Sequence, residues 1–183
     1  MNYLVMKPRI LILEDDKTSR KLLVKILEKS GYDVLECSEG KDAIHIAVMN
    51  PPKVIVVDVM LPDMSGTNVV EELTSKPECK YMKVIFLTSL LTKKDAESNV
   101  NYLFDVDGTH YKALAKPVKK KTLTRLLNSL IAESEAEEKA DLLEERMLNE
   151  KKLADRAARL ETSKAKAEKE AISVQESEEA DLV

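Results

Sequence analysis

Along the first 131 residues, apolar and polar positions switch repeatedly between short apolar runs and helical spacing. "RILIL" (Arg9–Leu13) reads as a strand. "KTSRKLLVKILEKSG" then sets Leu22, Leu23, Ile26 and Leu27 a helical turn apart, with Gly31 as the stop. "YDVLEC" is a second strand, and "SEGKDAIHIAVMN" a second helix closed by Asn50-Pro51-Pro52. "KVIVVD" is a third strand, "GTNVVEELTS" a third helix and "MKVIFLTS" a fourth strand. A looser helix or loop is expected over Leu91–Asp107. "HYKALA" is a weak fifth strand, and another helix begins after Lys116-Pro117. Strands alternating with helices mean βαβ units and a parallel sheet covered on both faces. The runs "VIVV" and "VIFL" are continuously apolar, as strands buried on both sides require. The expected class is α/β and doubly wound, and such sheets bind ligands outside the carboxyl ends of their strands.

The pattern changes after Pro117. No Gly or Pro occurs from there to Val183, and Ala, Glu, Lys, Leu and Arg dominate. Leu123, Leu126, Leu127, Leu130 and Ile131 form a face that packs on the sheet. Beyond them the apolar seam is weaker. Leu153, Ala157, Leu160, Lys164, Ala167, Ala171 and Val174 keep a 4-3 spacing with one polar break. Ala140, Leu143 and Met147 do so in another phase. Two readings stay open: a coiled coil that pairs two chains, or a solvated single helix. The last ten residues are expected to fray.

Charge separates the same two segments. Residues 132–183 hold 16 acids and 9 bases, a net −7, and residues 1–131 hold 17 acids and 20 bases, a net +3. Cys37 and Cys79 have no metal-type spacing and no disulfide framework around them, so a reducing cytoplasmic setting is expected. No apolar run is long enough to span a membrane. "MNYLVMKPRILIL" runs into a strand without a charged start or a cleavage site, so no signal peptide is read. No basic helix-turn-helix is seen and the tail is acidic, which gives a nucleic-acid role little support.

Polar residues cluster at the strand ends. Glu14, Asp15 and Asp16 follow the first strand, Asp58 ends the third, Thr88 and Ser89 end the fourth, and Lys116 follows the fifth. In a parallel sheet these ends share one edge. Clustered carboxylates repel, so they raise one another's pKa or bind a cation. An all-oxygen set selects Mg²⁺ or Ca²⁺ over zinc, and a Mg²⁺ site with open water positions is built to hold phosphate. A lysine and a hydroxyl complete a receptor for phosphoryl oxygens. An Asp can also attack phosphorus and carry an aspartyl phosphate. Singly, each has a plainer reading: Asp16 or Thr18 as a helix cap, Lys-Pro as a turn, Asp58 as a strand terminator. Together, in order on four strand ends, they point to Asp58 as a phosphoryl acceptor.

"ILILEDDKTSRKLL", "VIVVDVMLPDMSG", "VIFLTS" and "AKP", in this order, resemble the receiver domain of two-component response regulators. The resemblance implies a flavodoxin-like, five-stranded parallel sheet of order 2-1-3-4-5. The receiver domain would cover residues 1–131 and a helical, coiled-coil-like tail residues 132–183. It implies phosphorylation of Asp58 by a histidine kinase or phosphotransfer protein. Around Mg²⁺ it implies Asp15 as a direct ligand, Glu14 acting through water, the carbonyl of Met60, and Asp58 itself; Asp16 falls outside this set. Thr88 would be the switch hydroxyl and Lys116 the partner of a phosphoryl oxygen, both gaining partners only in the phosphorylated state. Pro62 and Gly66 would shape the loop after Asp58. Such a protein is a phosphoacceptor rather than an enzyme. It would signal in the cytoplasm through protein contacts, and the tail's 4-3 spacing leaves a homodimer open as one of them.

Two departures from the family pattern bear on output. The aromatic residue usual three positions before the lysine is Ala113 here, with His110 and Tyr111 nearby but displaced. The stretch from Thr88 to Lys116 is also longer than the family spacing, which places an insertion on the family's signalling surface. A receiver used only as a scaffold therefore stays open. An aspartate-nucleophile phosphohydrolase of the haloacid dehalogenase type wants a second Asp where Met60 stands, which argues against turnover. His45 is read as a partly buried or surface residue, and His110 as a loop residue beside the active edge. Lys119, Lys120 and Lys121 are either a docking patch for an acidic partner or a solvated first helical turn.

Overall fold

A computed structural model describes residues 7–89 and 102–180, with side chains for 7–89 and 103–164. Its elements are β1 (Arg9–Leu13), α1 (Lys17–Glu28), β2 (Asp33–Cys37), α2 (Gly40–Met49) and β3 (Val54–Asp58). They continue with α3 (Gly66–Thr74), a 3₁₀ turn (Pro77–Cys79), β4 (Lys83–Thr88), β5 (Tyr102–Val106), β6 (Thr109–Ala115) and α4 (Lys120–Ala180). The chain divides into two compact units, Met1–Glu137 and Glu138–Val183.

The first unit is built on one sheet of order β2-β1-β3-β4-β6-β5. Five strands are parallel and reproduce the expected doubly wound order, with β6 in the place of the expected fifth strand. Alternation within each strand divides the core. Ile10, Ile12, Val54, Val56, Ile85 and Leu87 face Leu23 and Leu27 of α1 and Leu123 and Leu127 of α4. Leu11, Leu13, Ile55, Val57 and Phe86 face Ala43 and Ala47 of α2 and Val69, Val70 and Leu73 of α3. Leu22, although at helical spacing with the others, is 58% exposed and lies outside this core. Asp16 caps α1 by accepting from the Ser19 amide at 2.7 Å.

The sixth strand corrects the expectation of a helix or loop over Leu91–Asp107; residues 91–101 of that range lie outside the described residues. Tyr102–Val106 pairs antiparallel with β6, from Val106↔Thr109 to Tyr102↔Ala113. The reason is the turn. Asp107 and Gly108 both have positive φ, 49° and 76°, as a two-residue hairpin matched to strand twist demands. Phe104 then stacks on Phe86 with ring centroids 4.7 Å apart. A Cβ at Gly108 would meet nothing within 4 Å, so substitution there tests backbone strain alone. Gly108→Val is expected to destabilise the chain by roughly 1–2 kcal/mol, read as a lowered midpoint in urea with an unchanged slope.

In the second unit α4 continues with its described side chains almost entirely exposed. No helix among the described residues is long and apolar enough to cross a membrane.

Candidate functional site

The carboxyl ends of β1, β3, β4 and β6 meet at one edge of the sheet, and the register brings their polar residues level. Leu13 pairs with Val57, Asp58 with Leu87, and Thr88 with Ala115. The Lys116 amide extends the β4–β6 ladder by bonding the Thr88 carbonyl at 2.9 Å. Glu14, Asp58 and Thr88 are buried, at 1%, 8% and 3% exposure, whereas Asp15 is open to solvent.

Lys116 is the hub. Its Nζ donates to Asp58 Oδ2 at 2.5 Å and to Glu14 Oε1 at 2.8 Å. Asp58 Oδ1 accepts from the Met60 amide at 3.1 Å. Lys116 thus holds two partners in this structure, which corrects the expectation that it gains one only on phosphorylation. Burial alone would lower the Lys116 pKa; hydrogen bonds to Asp58 and Glu14 and their charges outweigh it and raise it. Burial raises the Glu14 carboxyl above its ordinary range, against the opposing pull of Lys116.

Glu14 Oε2 also lies 2.6 Å from Lys116 Nζ, so the buried carboxylate turns both oxygens to the ammonium. Single oxygens of Glu14, Asp15 and Asp58 lie within 4.8 Å of one another. Three carboxylates this close, an all-oxygen donor set, fit a hard divalent cation such as Mg²⁺.

Other residues place this cluster without standing in it. Arg20 Nη1 donates to the carbonyls of Glu14 at 2.6 Å and Asp15 at 3.1 Å, while its Nε reaches Glu36 at 3.2 Å. Asp63, in the loop after β3, accepts from the amides of Gly40 and Lys41 and so ties that loop to the start of α2. Those two amides hold its carboxyl below the usual range, the Gly40 bond first. Gly66 crosses the back of Asp58: a Cβ there would lie 2.1 Å from the Asp58 carbonyl oxygen. Among these, only Gly66 is singled out by the sequence pattern.

Other expected residues fall elsewhere. His110 is not beside the active edge: it sits near the start of β6, at the other end of the strand from Lys116, and pairs with Asp105 across the hairpin at 2.9 Å. Burial raises the Tyr111 hydroxyl pKa, with Thr109 and Thr74 opposing the rise. Ala113 is buried against Phe86's strand. His45 is exposed on α2, and Lys119, Lys120 and Lys121 are exposed where α4 begins. Cys37 and Cys79 are both free and buried, and burial pushes the Cys37 thiol up to about 12, so it is not a reactive thiolate.

Comparison with known proteins agrees with this geometry. A family model described as the response regulator receiver domain matches residues 10–128. Protein PilH of Pseudomonas aeruginosa is 32% identical over 124 residues, which cover 68% of this chain and 98% of PilH. A CheY-like receiver domain from Methylobacillus flagellatus superposes with a TM-score of 0.57 at 25% identity, over 68% of this chain and 98% of that one. The receiver domain of a sensor histidine kinase from Pseudomonas aeruginosa PAO1, solved with a magnesium ion in its active site cleft, gives 0.58 at 25% identity, over 69% and 98%.

Proposed function

The chain belongs to the response regulator receiver domain family, and on that premise we propose that Asp58 accepts a phosphoryl group from a histidine kinase or phosphotransfer protein. The observation that carries this reading is the meeting of Asp58, its lysine partner and the carboxylates of Glu14 and Asp15 on one edge. Phosphoryl transfer needs in-line positioning and charge neutralisation more than covalent help. A carboxylate oxygen of Asp58 attacks phosphorus; the bond from phosphorus to the donor nitrogen breaks, and its electron pair leaves with the imidazole. The Met60 amide and Lys116 fix the orientation of the carboxylate. Mg²⁺ held by Glu14, Asp15, Asp58 and the Met60 carbonyl would supply further positive charge for the phosphoryl oxygens. Lys116 has a phosphoryl oxygen to turn to once Asp58 carries the acyl phosphate, and Thr88, at the end of the neighbouring strand, is the proposed switch hydroxyl.

Receiver domains are phosphoacceptors, so no turnover on a separate substrate is proposed. The output proposed is a change in protein contacts, with residues 1–131 as receiver and 132–183 as output helix, in the cytoplasm and without DNA binding. A scaffold reading has one observation in its favour: Ala113, buried on β6 opposite Phe86, has no ring to swing with Thr88.

Incubation with a small phosphodonor is expected to label the chain only when Mg²⁺ is present, and Asp58→Asn is expected to lose the label. A stably labelled Asp58→Asn chain would count against the assignment. A chain cut after Glu137 keeps buried Ser134 and the Lys83–Glu137 pair. It is expected to melt in one cooperative transition, and a broad, non-cooperative melt would show that the receiver needs the helix beyond.

A further inference from the structure

Of the three clustered carboxylates, Asp15 is the exposed one, with Glu14 and Asp58 buried. A carboxylate open to solvent has many directions available to it, so its aim depends on its backbone. The Glu14 carbonyl belongs to the peptide plane before the Asp15 Cα, and the Asp15 carbonyl to the plane after it. Each plane is rigid, so restraining both restrains the two backbone dihedrals of Asp15 and the direction in which its Cβ leaves the chain. Arg20 Nη1 donates to both carbonyls, at 2.6 and 3.1 Å. The strand side of this turn is tied by the Glu14 amide on the Cys37 carbonyl at 3.2 Å. The helix side is tied by the Ser19 amide on Asp16 at 2.7 Å. Arg20 bridges the peptides between these two ties.

Arg20 stands there against its own charge. It lies in the first turn of α1, where the helix dipole favours an acid over a base. A guanidinium beside carboxylates that take a divalent cation also repels that cation. Glu36 of β2 accepts from Arg20 Nε at 3.2 Å, which offsets the charge and holds the guanidinium plane. The planar fork lets one side chain serve the two carbonyls and the carboxylate together. The Arg20 side chain is only 16% exposed, so it is packed into the turn rather than extended into solvent.

We propose that Arg20 is a positioning residue for the divalent cation: it strengthens cation binding by holding the Asp15 backbone, with Glu36 keeping it in place. The inference rests on the Mg²⁺ reading of the site. Groups that orient metal ligands from outside typically contribute about 10–100-fold in affinity. Charge and positioning act with opposite signs here. Acting as a charge, Arg20 weakens cation binding, and its removal would tighten it. Acting through the backbone, it strengthens binding, and its removal weakens it. A role confined to stability would lower the unfolding midpoint and leave the affinity of the folded chain unchanged.

The test uses Mn²⁺ alone as the probe, titrated into the full chain without phosphodonor. Binding is read from loss of the free-ion electron paramagnetic resonance signal, and its release by Mg²⁺ is checked. Asp15→Asn identifies the part of the binding that belongs to this site. Arg20→Ala is expected to weaken that part roughly 10- to 100-fold. Arg20→Lys keeps the charge but has no Nε for Glu36, and its affinity is expected to fall between the two. Urea midpoints of the metal-free chains are measured alongside, so that affinity is read only on folded protein. Binding as tight as wild type, or tighter, in either folded Arg20 variant would overturn the proposal. If the wild-type chain shows no Mn²⁺ binding that Asp15→Asn removes, the metal reading itself falls and the proposal with it, so the two failures are distinct.

Discussion

Gly66→Ala is expected to be the most damaging single-methyl substitution in the receiver unit. The added Cβ would sit 2.1 Å from the Asp58 carbonyl oxygen, 3.1 Å from its carbonyl carbon and 3.1 Å from Val57 Cγ2. Two of these three atoms are backbone of β3, which is buried along its whole length. The two Asp58 atoms cannot rotate away as a side chain can, so either the strand end or the start of α3 must move. Overpacking of this kind costs about 1–3 kcal/mol and occasionally more, and here it falls on the residue proposed to take the phosphoryl group. The Gly66 amide also bonds the Val59 carbonyl at 3.0 Å, so a shift of α3 breaks the loop that presents Asp58. Both a lower unfolding midpoint and loss of phosphodonor labelling are expected. A Gly66→Ala chain with wild-type stability and labelling would show that the close approach is not what fixes Asp58. The neighbouring case is a useful contrast. A Cβ at Gly40 meets the Met64 side chain at 2.5 Å and Val69 Cγ2 at 2.7 Å, side chains rather than backbone, so Gly40→Ala should be milder at the site although buried Val69 must still give way.

Lys116→Ala is expected to cost about 3–5 kcal/mol at neutral pH, the range for breaking a buried ion pair by removing one partner. The cost arises because Glu14, at 1% exposure, and Asp58 are left facing each other without a cation. Its pH dependence follows from the sign of the shifts. The Glu14 pKa is already raised by burial, with Lys116 opposing the rise, so removing Lys116 raises it further. Between the ordinary and the raised value the folded chain binds more protons than the unfolded one, and stability therefore increases as pH falls through that window. The penalty of Lys116→Ala should shrink in acid as Glu14 takes up a proton. It should shrink again at strongly alkaline pH, because a raised lysine pKa contributes stability that is lost as pH rises through the folded value. Urea unfolding of both chains across pH reads this directly. A penalty that is constant with pH would mean that Lys116 acts through packing rather than charge.

The parts of the molecule legible in the sequence are those fixed by local pattern. The runs "RILIL", "VIVVD" and "KVIFLT" are apolar on both faces, so they become central parallel strands, and a parallel sheet puts Glu14, Asp15, Asp58, Thr88 and Lys116 at one edge without further information. The β5–β6 hairpin is only half legible. "YLFDV" is interrupted by Asp105 and gains its order from pairing with β6 and from Phe104 on Phe86. The Asp107-Gly108 pair between apolar flanks nevertheless carries the hairpin signal. Arg20 and Asp63 are not legible at all. Each is a charged residue of ordinary surface type, and only the folded path returns Arg20 to the carbonyls of Glu14 and Asp15, and Asp63 to the amides of α2. His110 shows the converse. Closeness in sequence to Lys116 suggests the site, but a strand carries it to the far end of the sheet.

The claim that Asp58 is the phosphoryl acceptor is tested most directly by locating the phosphoryl group. The chain would be treated with a small phosphodonor and Mg²⁺, the acyl phosphate trapped with borohydride, and the peptides mapped by mass spectrometry. The account predicts one reduced residue, at position 58, which is absent when Mg²⁺ is withheld. A reduced residue at Asp15 or elsewhere with Asp58 intact would contradict it.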